Sequence, residues 1–245
     1  MIAPDPKTFY NTVMPGKLGS DYENARWRAN PLLAAQYRMM TDVLGRLVAP
    51  AARSARRVLE VGPGPGTWTK LLLESNPGAQ YTLMDVSREM LAQVRAELSS
   101  RKNVAFVESD LAAFEPSEPF DFFFSSRAIE YMPDKRTAAR KIALLLVPGS
   151  RGALITKMPK PFFDRIKGRS ISTLHTGQVL PRDLARVLEQ SGCVVEKVRI
   201  ATATLPGFGS AHANSIVYML LKHLPLFFPF TLFAESYLVT FRKPL

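Results

Sequence analysis

The chain has 245 residues, 47% of them hydrophobic, with a formal net charge of +11 at pH 7 and a pI near 9.9. That length carries a full core in one domain with an appendage, so a second domain is not required. The single cysteine, Cys193, excludes an intrachain disulfide and a cysteine-cluster metal site, and makes a reducing cytoplasmic compartment the natural setting.

Residues 1–20 include Pro4, Asp5, Pro6, Lys7 and Pro15 and lack a continuous apolar stretch, so no secretory signal is expected. Over 21–48 apolar residues recur at three- and four-residue steps, among them Leu33, Tyr37, Met40, Leu44 and Leu47. The spacing predicts an N-terminal helical cap within 1–52. After the basic stretch 53–57, strands and helices alternate. Strands are expected at 57–61, 80–84, 104–108, 120–125, 151–157 and 194–201, and helices at 66–74, 87–99, 134–146 and 181–191. That is the rhythm of βαβ units, which build a parallel sheet covered on both faces. Ser87 and Pro133-Asp134 read as helix starts, Pro148-Gly149 as a helix stop, and Pro181 as a first helical position.

The segment 203–235 is the oddest part of the chain. Residues 216–221 and 224–233 are apolar on every face, yet Lys222, His223 and two prolines interrupt them. A spanning helix needs about twenty predominantly apolar residues, so this segment is too broken to cross a bilayer. Residues 236–241 have strand composition. The expected divisions are therefore a cap over 1–52, a core over 53–202, and a hydrophobic insertion with the final strand over 203–245.

The chemistry concentrates at Val58-Leu59-Glu60-Val61-Gly62-Pro63-Gly64-Pro65-Gly66-Thr67. An apolar run that turns through three alternate glycines reads as a buried strand feeding a helix, with backbone amides open to a nucleotide-like ligand. Thr67 stands where a dinucleotide fingerprint has its third glycine, which argues against NAD. The motif resembles the first motif of class I S-adenosylmethionine-dependent methyltransferases. Three further stretches follow in that family's order: Tyr81-Thr82-Leu83-Met84-Asp85, Val107-Glu108-Ser109-Asp110-Leu111, and 120–132 with Ser125-Ser126-Arg127-Ala128. The resemblance covers about residues 55–200 and implies a seven-stranded, mostly parallel sheet with helices on both faces, its last strand inserted antiparallel beside the fifth.

The same resemblance implies S-adenosylmethionine as cofactor and S-adenosylhomocysteine as product. It assigns cofactor contacts to Glu60, Gly62, Gly64, Gly66, Asp85, Val86, Asp110, Leu111, Ser126 and Arg127. Asp85 would accept from both ribose hydroxyls, Asp110 from the adenine amino group, and Leu111 would pack on the ring. Many relatives carry Glu-His where this chain has Glu130-Tyr131. His175 becomes the candidate general base, with Tyr131 and Arg127 as lesser catalytic candidates. Methyl transfer to an already nucleophilic atom needs alignment and no base, so direct displacement without metal is expected.

The acceptor is less legible. Ser125-Ser126-Arg127-Ala128 is not the Asn/Asp-Pro-Pro-aromatic motif of enzymes methylating nucleobase amines, which disfavours nucleic acid. The net charge of +4 over 157–169 suits phosphate groups. The aromatic stretch 224–233 on a basic protein suits an anionic membrane surface. The leading expectation is an O or N acceptor on an amphiphilic, lipid-linked or phosphate-bearing small molecule or glycan. The protein is then expected in the cytoplasm, with peripheral contact at the inner membrane face. The segment 203–235 reads equally as a lid or a homodimer interface. An RNA methyltransferase and a non-catalytic scaffold are the alternative readings.

Overall fold

The computed structural model describes residues 6–13, 22–159, 177–205 and 209–245. Its strands are β1 (Arg57–Val61), β2 (Gln80–Asp85), β3 (Val104–Glu108), β4 (Phe120–Ser126), β5 (Leu146–Lys157), β6 (Val194–Ala203) and β7 (Ala234–Arg242). They form one seven-stranded sheet in the order β3-β2-β1-β4-β5-β7-β6. The neighbours from β3 through β5 pair in parallel, and β7 inserts antiparallel between β5 and β6. This is the expected α/β architecture, including the final strand beside the fifth.

The helices are α1 (Tyr22–Trp27), α2 (Pro31–Val43), α3 (Thr67–Ser75), α4 (Arg88–Glu97), α5 (Lys135–Leu145), α6 (Pro181–Gln190) and α7 (Ala211–Leu221). Because strand side chains alternate between faces, β4 sends Phe122 and Phe124 to one layer and Phe123 to the other. The first layer joins Met40, Val43, Leu72, Leu73, Leu91 and Val94, from α2, α3 and α4. The second joins Ala139, Ile142, Leu184 and Leu188, from α5 and α6. Burial on both faces explains why the central strands read as unbroken apolar runs.

The cap is built from two helices: α1 ends at Trp27 and α2 starts at Pro31, where the Asn30 side chain accepts from Leu33 N at 3.0 Å. An Asn followed by a proline at the first helical position is a start signal, and it overrides the continuous periodicity. One expectation needs correction: Pro148-Gly149 does not stop a helix. α5 ends at Leu145, and the pair sits inside β5, where the register with β4 slips between Phe120 and Phe122. Gly149 takes φ +81° there and donates its N–H to Lys243 O at 2.9 Å. Proline has no N–H for the ladder, so the strand bulges at this point.

Gly152 on β5 faces the ring of Phe241, and an added Cβ would collide with that ring. Overpacking of this kind costs about 1–3 kcal/mol. Gly152→Ala is expected to lower the urea midpoint accordingly while leaving the unfolding slope unchanged.

Candidate active site

The carboxyl ends of β1, β2, β3 and β4 open into a cavity of about 710 Å³. Its floor is the turn after β1. Gly62, Gly64 and Gly66 have φ of +71°, +56° and +86°, backbone that side-chain-bearing residues rarely adopt. A Cβ on Gly62 would lie 2.5 Å from Ala128 Cβ, and one on Gly66 2.7 Å from Val94 Cγ2. These two glycines let the turn pack. Gly64 differs: nothing lies within 4 Å of where its Cβ would stand, and it faces the cavity. Its bare backbone is therefore open to close approach by a ligand.

Asp85 ends β2 beside this turn. Its Oδ1 accepts from Ser87 N at 2.9 Å. Burial pushes its carboxyl up to about 6, while the backbone N–H groups of Ser87, Gly64 and Val86 pull it back. It is thus ionised at neutral pH and can accept from hydroxyl donors. Val86, Asp110, Leu111, Ser126, Arg127 and Tyr131 also line the cavity. Asp110 Oδ1 already accepts from Ala112 N at 2.8 Å. Ser126 Oγ is buried without a hydrogen-bond partner among the described residues, an orphaned polar atom where a bound group could satisfy it.

Two expected contacts do not line the cavity. Gly66 serves instead as the N-cap position of α3. Glu60 is 1% exposed and lies behind the turn, with Oε2 unpaired among the described residues. Burial, with the Asp85 charge adding to it, pushes the Glu60 carboxyl up to about 8. His175 and residues 160–169 of the basic loop lie outside the described residues.

Arg127 sits at φ +67°, an uncommon conformation for a residue with a side chain. Its N–H donates to Ile155 O at 2.8 Å and its Nε to Glu130 Oε1 at 3.0 Å. Glu130, fully buried, also accepts from Thr156 Oγ1 at 3.3 Å and Lys157 N at 3.1 Å. A residue bound at both ends can hold such backbone, which fixes the guanidinium at the cavity's edge.

The structure adds residues that the sequence reading did not find. Lys7 and Tyr10, from the helical segments Pro6–Thr8 and Phe9–Val13, line the cavity. Lys7 pairs with Glu108 at 2.9 Å, Asn11 Oδ1 accepts from Ser87 Oγ at 2.7 Å, and Tyr10 and Tyr131 share a hydroxyl hydrogen bond of 2.8 Å. Arg26, Trp27 and Trp68 form a further wall, with Trp27 against Trp68 at 5.2 Å. No local pattern announces contacts made across such sequence distances. Only the tryptophans, rare and amphipathic, offered a signal.

A family model described as a methyltransferase domain matches residues 59–151. A trans-aconitate 2-methyltransferase of Methylobacterium nodulans is 35% identical over 51% of this chain and 49% of its own length. A malonyl-[acyl-carrier protein] O-methyltransferase of Ilyobacter polytropus is 24% identical over 74% of this chain and 66% of its own. Thus the chain spans about half the length of the first of these relatives and two thirds of the second. Among solved structures, magnesium protoporphyrin IX methyltransferase of Synechocystis PCC 6803, with bound S-adenosylhomocysteine, superposes with a TM-score of 0.63. It is 15% identical and covers 97% of each chain.

The Glu60 carboxyl carries a stability signature. The folded chain keeps its proton until about pH 8, whereas an unfolded glutamate releases it near 4.5. The folded state binds more protons between those values, so stability is full below about 4.5 and falls as pH rises through about 8. Glu60→Gln is uncharged throughout and should flatten that decline. Urea midpoints at pH 5 and pH 8 provide the check, and equal declines in both proteins would remove burial of Glu60 as the cause.

Proposed function

From a chain that belongs to the class I S-adenosylmethionine-dependent methyltransferase family, we infer an enzyme that moves a methyl group from S-adenosylmethionine to an oxygen of an acidic small molecule. One observation carries this reading: a turn open at Gly64 lies beside an ionised Asp85, in one cavity that runs from Asp110 to Arg127. The residues fit the cofactor. Gly64 gives room for close approach, Asp85 accepts from ribose hydroxyls, Leu111 offers an apolar wall to adenine, and Ser126 has a hydroxyl to satisfy.

When bound, S-adenosylmethionine supplies an electrophilic methyl on a sulfonium and leaves as S-adenosylhomocysteine. The chain's own work is alignment and exclusion of water. A carboxylate acceptor is already an anion, so no base is required, and this removes the need for His175 in that role. Tyr131 has its hydroxyl engaged with Tyr10 and serves as wall. Two considerations support an acidic acceptor: the relatives named for trans-aconitate and for a malonyl group, both carboxylate-bearing, and the excess of cations in this chain.

Titration calorimetry with S-adenosylmethionine tests the donor half. Charge-assisted hydrogen bonds contribute about 1.5–3 kcal/mol, so Asp85→Ala should weaken binding at least about tenfold. Wild-type affinity should also fall as pH drops through about 6, where Asp85 takes up its proton. Absence of binding would favour the scaffold alternative. Labelled methyl transferred into the RNA fraction of an extract, and not into the acid-soluble fraction, would favour the RNA alternative.

An amphiphilic acid is a second reading, and one observation favours it. Of the large apolar side chains left exposed among the described residues, seven fall between Ile216 and Leu232, led by Phe228 at 74% and Leu220 at 70%. Clustering of this kind marks an interaction surface. Among the described residues no helix is long and apolar enough to cross a membrane, so we propose that this patch rests on an anionic surface from which the acceptor is taken. Flotation with phosphatidylglycerol vesicles should recover the protein at low salt, and Phe227→Ser with Phe228→Ser should cut recovery at least about tenfold. Unchanged recovery, or a dimer that the double variant dissociates, would return the patch to self-association.

A further inference from the structure

The exposed apolar side chains between Ile216 and Leu232 stand beside a group of basic residues that the catalytic cleft does not use. Asp42, on α2, is the centre of that group. Its Oδ2 accepts from Arg46 Nε and from the Tyr218 hydroxyl, both at 2.8 Å, and its Oδ1 accepts from Lys222 Nζ at 3.4 Å. Tyr218, buried on α7, also accepts from Arg46 Nη2 at 3.3 Å. One carboxylate thereby answers two cations and ties α7 to α2.

A third cation is left over. Arg199, half-buried on β6, donates from Nη1 to Val198 O at 2.9 Å, and no carboxylate pairs with it among the described residues. Burial, and after it the charge of nearby Arg46, hold its guanidinium below the usual arginine range. Val198 O accepts from Leu226 N as well, at 3.0 Å, so the guanidinium lies alongside the segment whose Leu224, Phe227 and Phe228 are exposed. Arg46, Arg199 and Lys222 thus stand with one carboxylate, and the two guanidiniums repel each other. An anion bound between them removes that repulsion.

We propose that Arg199 and Arg46 form a cradle for the phosphate of an anionic phospholipid at the rim of the apolar patch, with Lys222 as the flanking charge. Arg199 Nε and Nη2 have no partner among the described residues, and that edge of a guanidinium matches two phosphate oxygens. The inference rests on the reading in which residues 216–232 lie on a membrane, and it adds the residues that select the headgroup's charge. Apolar burial and pairing with phosphate reinforce each other at such a surface. None of the three cations lines the cavity proposed for the methyl donor.

The test is vesicle flotation of the full chain at roughly 0.1 M salt, with Lys102→Gln as a charge control. Lys102 precedes β3, at the sheet edge opposite β6. Six strand spacings, about 29 Å, separate the two edges, well beyond the screening length of about 10 Å. Phosphatidylglycerol vesicles should recover the wild-type chain and phosphatidylcholine vesicles should not. Arg199→Gln should cut recovery at least about tenfold, Lys102→Gln by about twofold or less, and both variants should bind S-adenosylhomocysteine as the wild type does. Arg199→Lys keeps the charge without the fork, should lose recovery several-fold, and carries the test alone if Arg199→Gln does not fold. The cradle is overturned if Arg199→Gln behaves like Lys102→Gln, if Arg199→Lys keeps full recovery, or if phosphatidylcholine serves as well as phosphatidylglycerol. Inorganic phosphate that abolishes recovery, where chloride of equal ionic strength does not, would assign the site to free phosphate and overturn the lipid. Failure of the wild-type chain to float on phosphatidylglycerol would instead defeat the membrane reading itself.

Discussion

The cleft depends on the chain leaving β1 in the left-handed region of backbone space. Three glycines with positive φ turn the strand within five residues into α3. Gly62 N donates to Met84 O at 2.8 Å, so the turn is tied to β2 as it forms. The contact between Gly62 and Ala128 then brings the segment after β4 against the same turn. One constraint thereby fixes three of the strand ends that line the large cavity. It also explains why the site opens where β1 lies between β2 and β4, the place at which the sheet order reverses and adjacent loops diverge.

Electrostatics divides the cleft along the same line. On the β2 side a carboxylate, Asp85, remains ionised near neutral pH although burial raises it, and no cationic partner is paired with it among the described residues. Such a group is suited to neutral hydroxyl donors more than to anions. On the β4 side the carboxylate Glu130 is fully buried and accepts from Arg127, Thr156 and Lys157. The cleft therefore has a carboxylate without a cationic partner among the described residues at one end and an ion pair at the other.

Much of the fold was legible because its strands are buried on both faces and its helices carry clear starts. Ser87 and Asp134 cap α4 and α5 as read, with Ser87 Oγ accepting from Met90 N and Asp134 Oδ1 from Arg136 N. The placing of Gly62, Gly64 and Asp85 at one cavity was legible for the same reason, because backbone and charge within a few residues mark them. The reading failed where chemistry is assembled across distance. Tyr10 meets Tyr131, and Asn11 meets Ser87, with nothing local to mark either pair. Glu60 belongs to the same motif as Gly62 and Gly64, and strand alternation points it into the layer that holds Val58 and α3, behind the turn.

The Arg127–Glu130 pair is costly to hold in place. A buried ion pair recovers little net stability, because removing both charges from water offsets their attraction. Holding a non-glycine residue at positive φ adds a further cost, of order 1 kcal/mol or more. Neither cost is explained by folding alone, since an apolar pair would fill the same space. Both are explained if a guanidinium must stand at a fixed angle in the cavity wall. Glu130 is anchored to β5 through Thr156 and Lys157, so the orientation of Arg127 is tied to that strand. The Arg127 guanidinium and the Lys157 backbone are in this way fixed by one buried carboxylate.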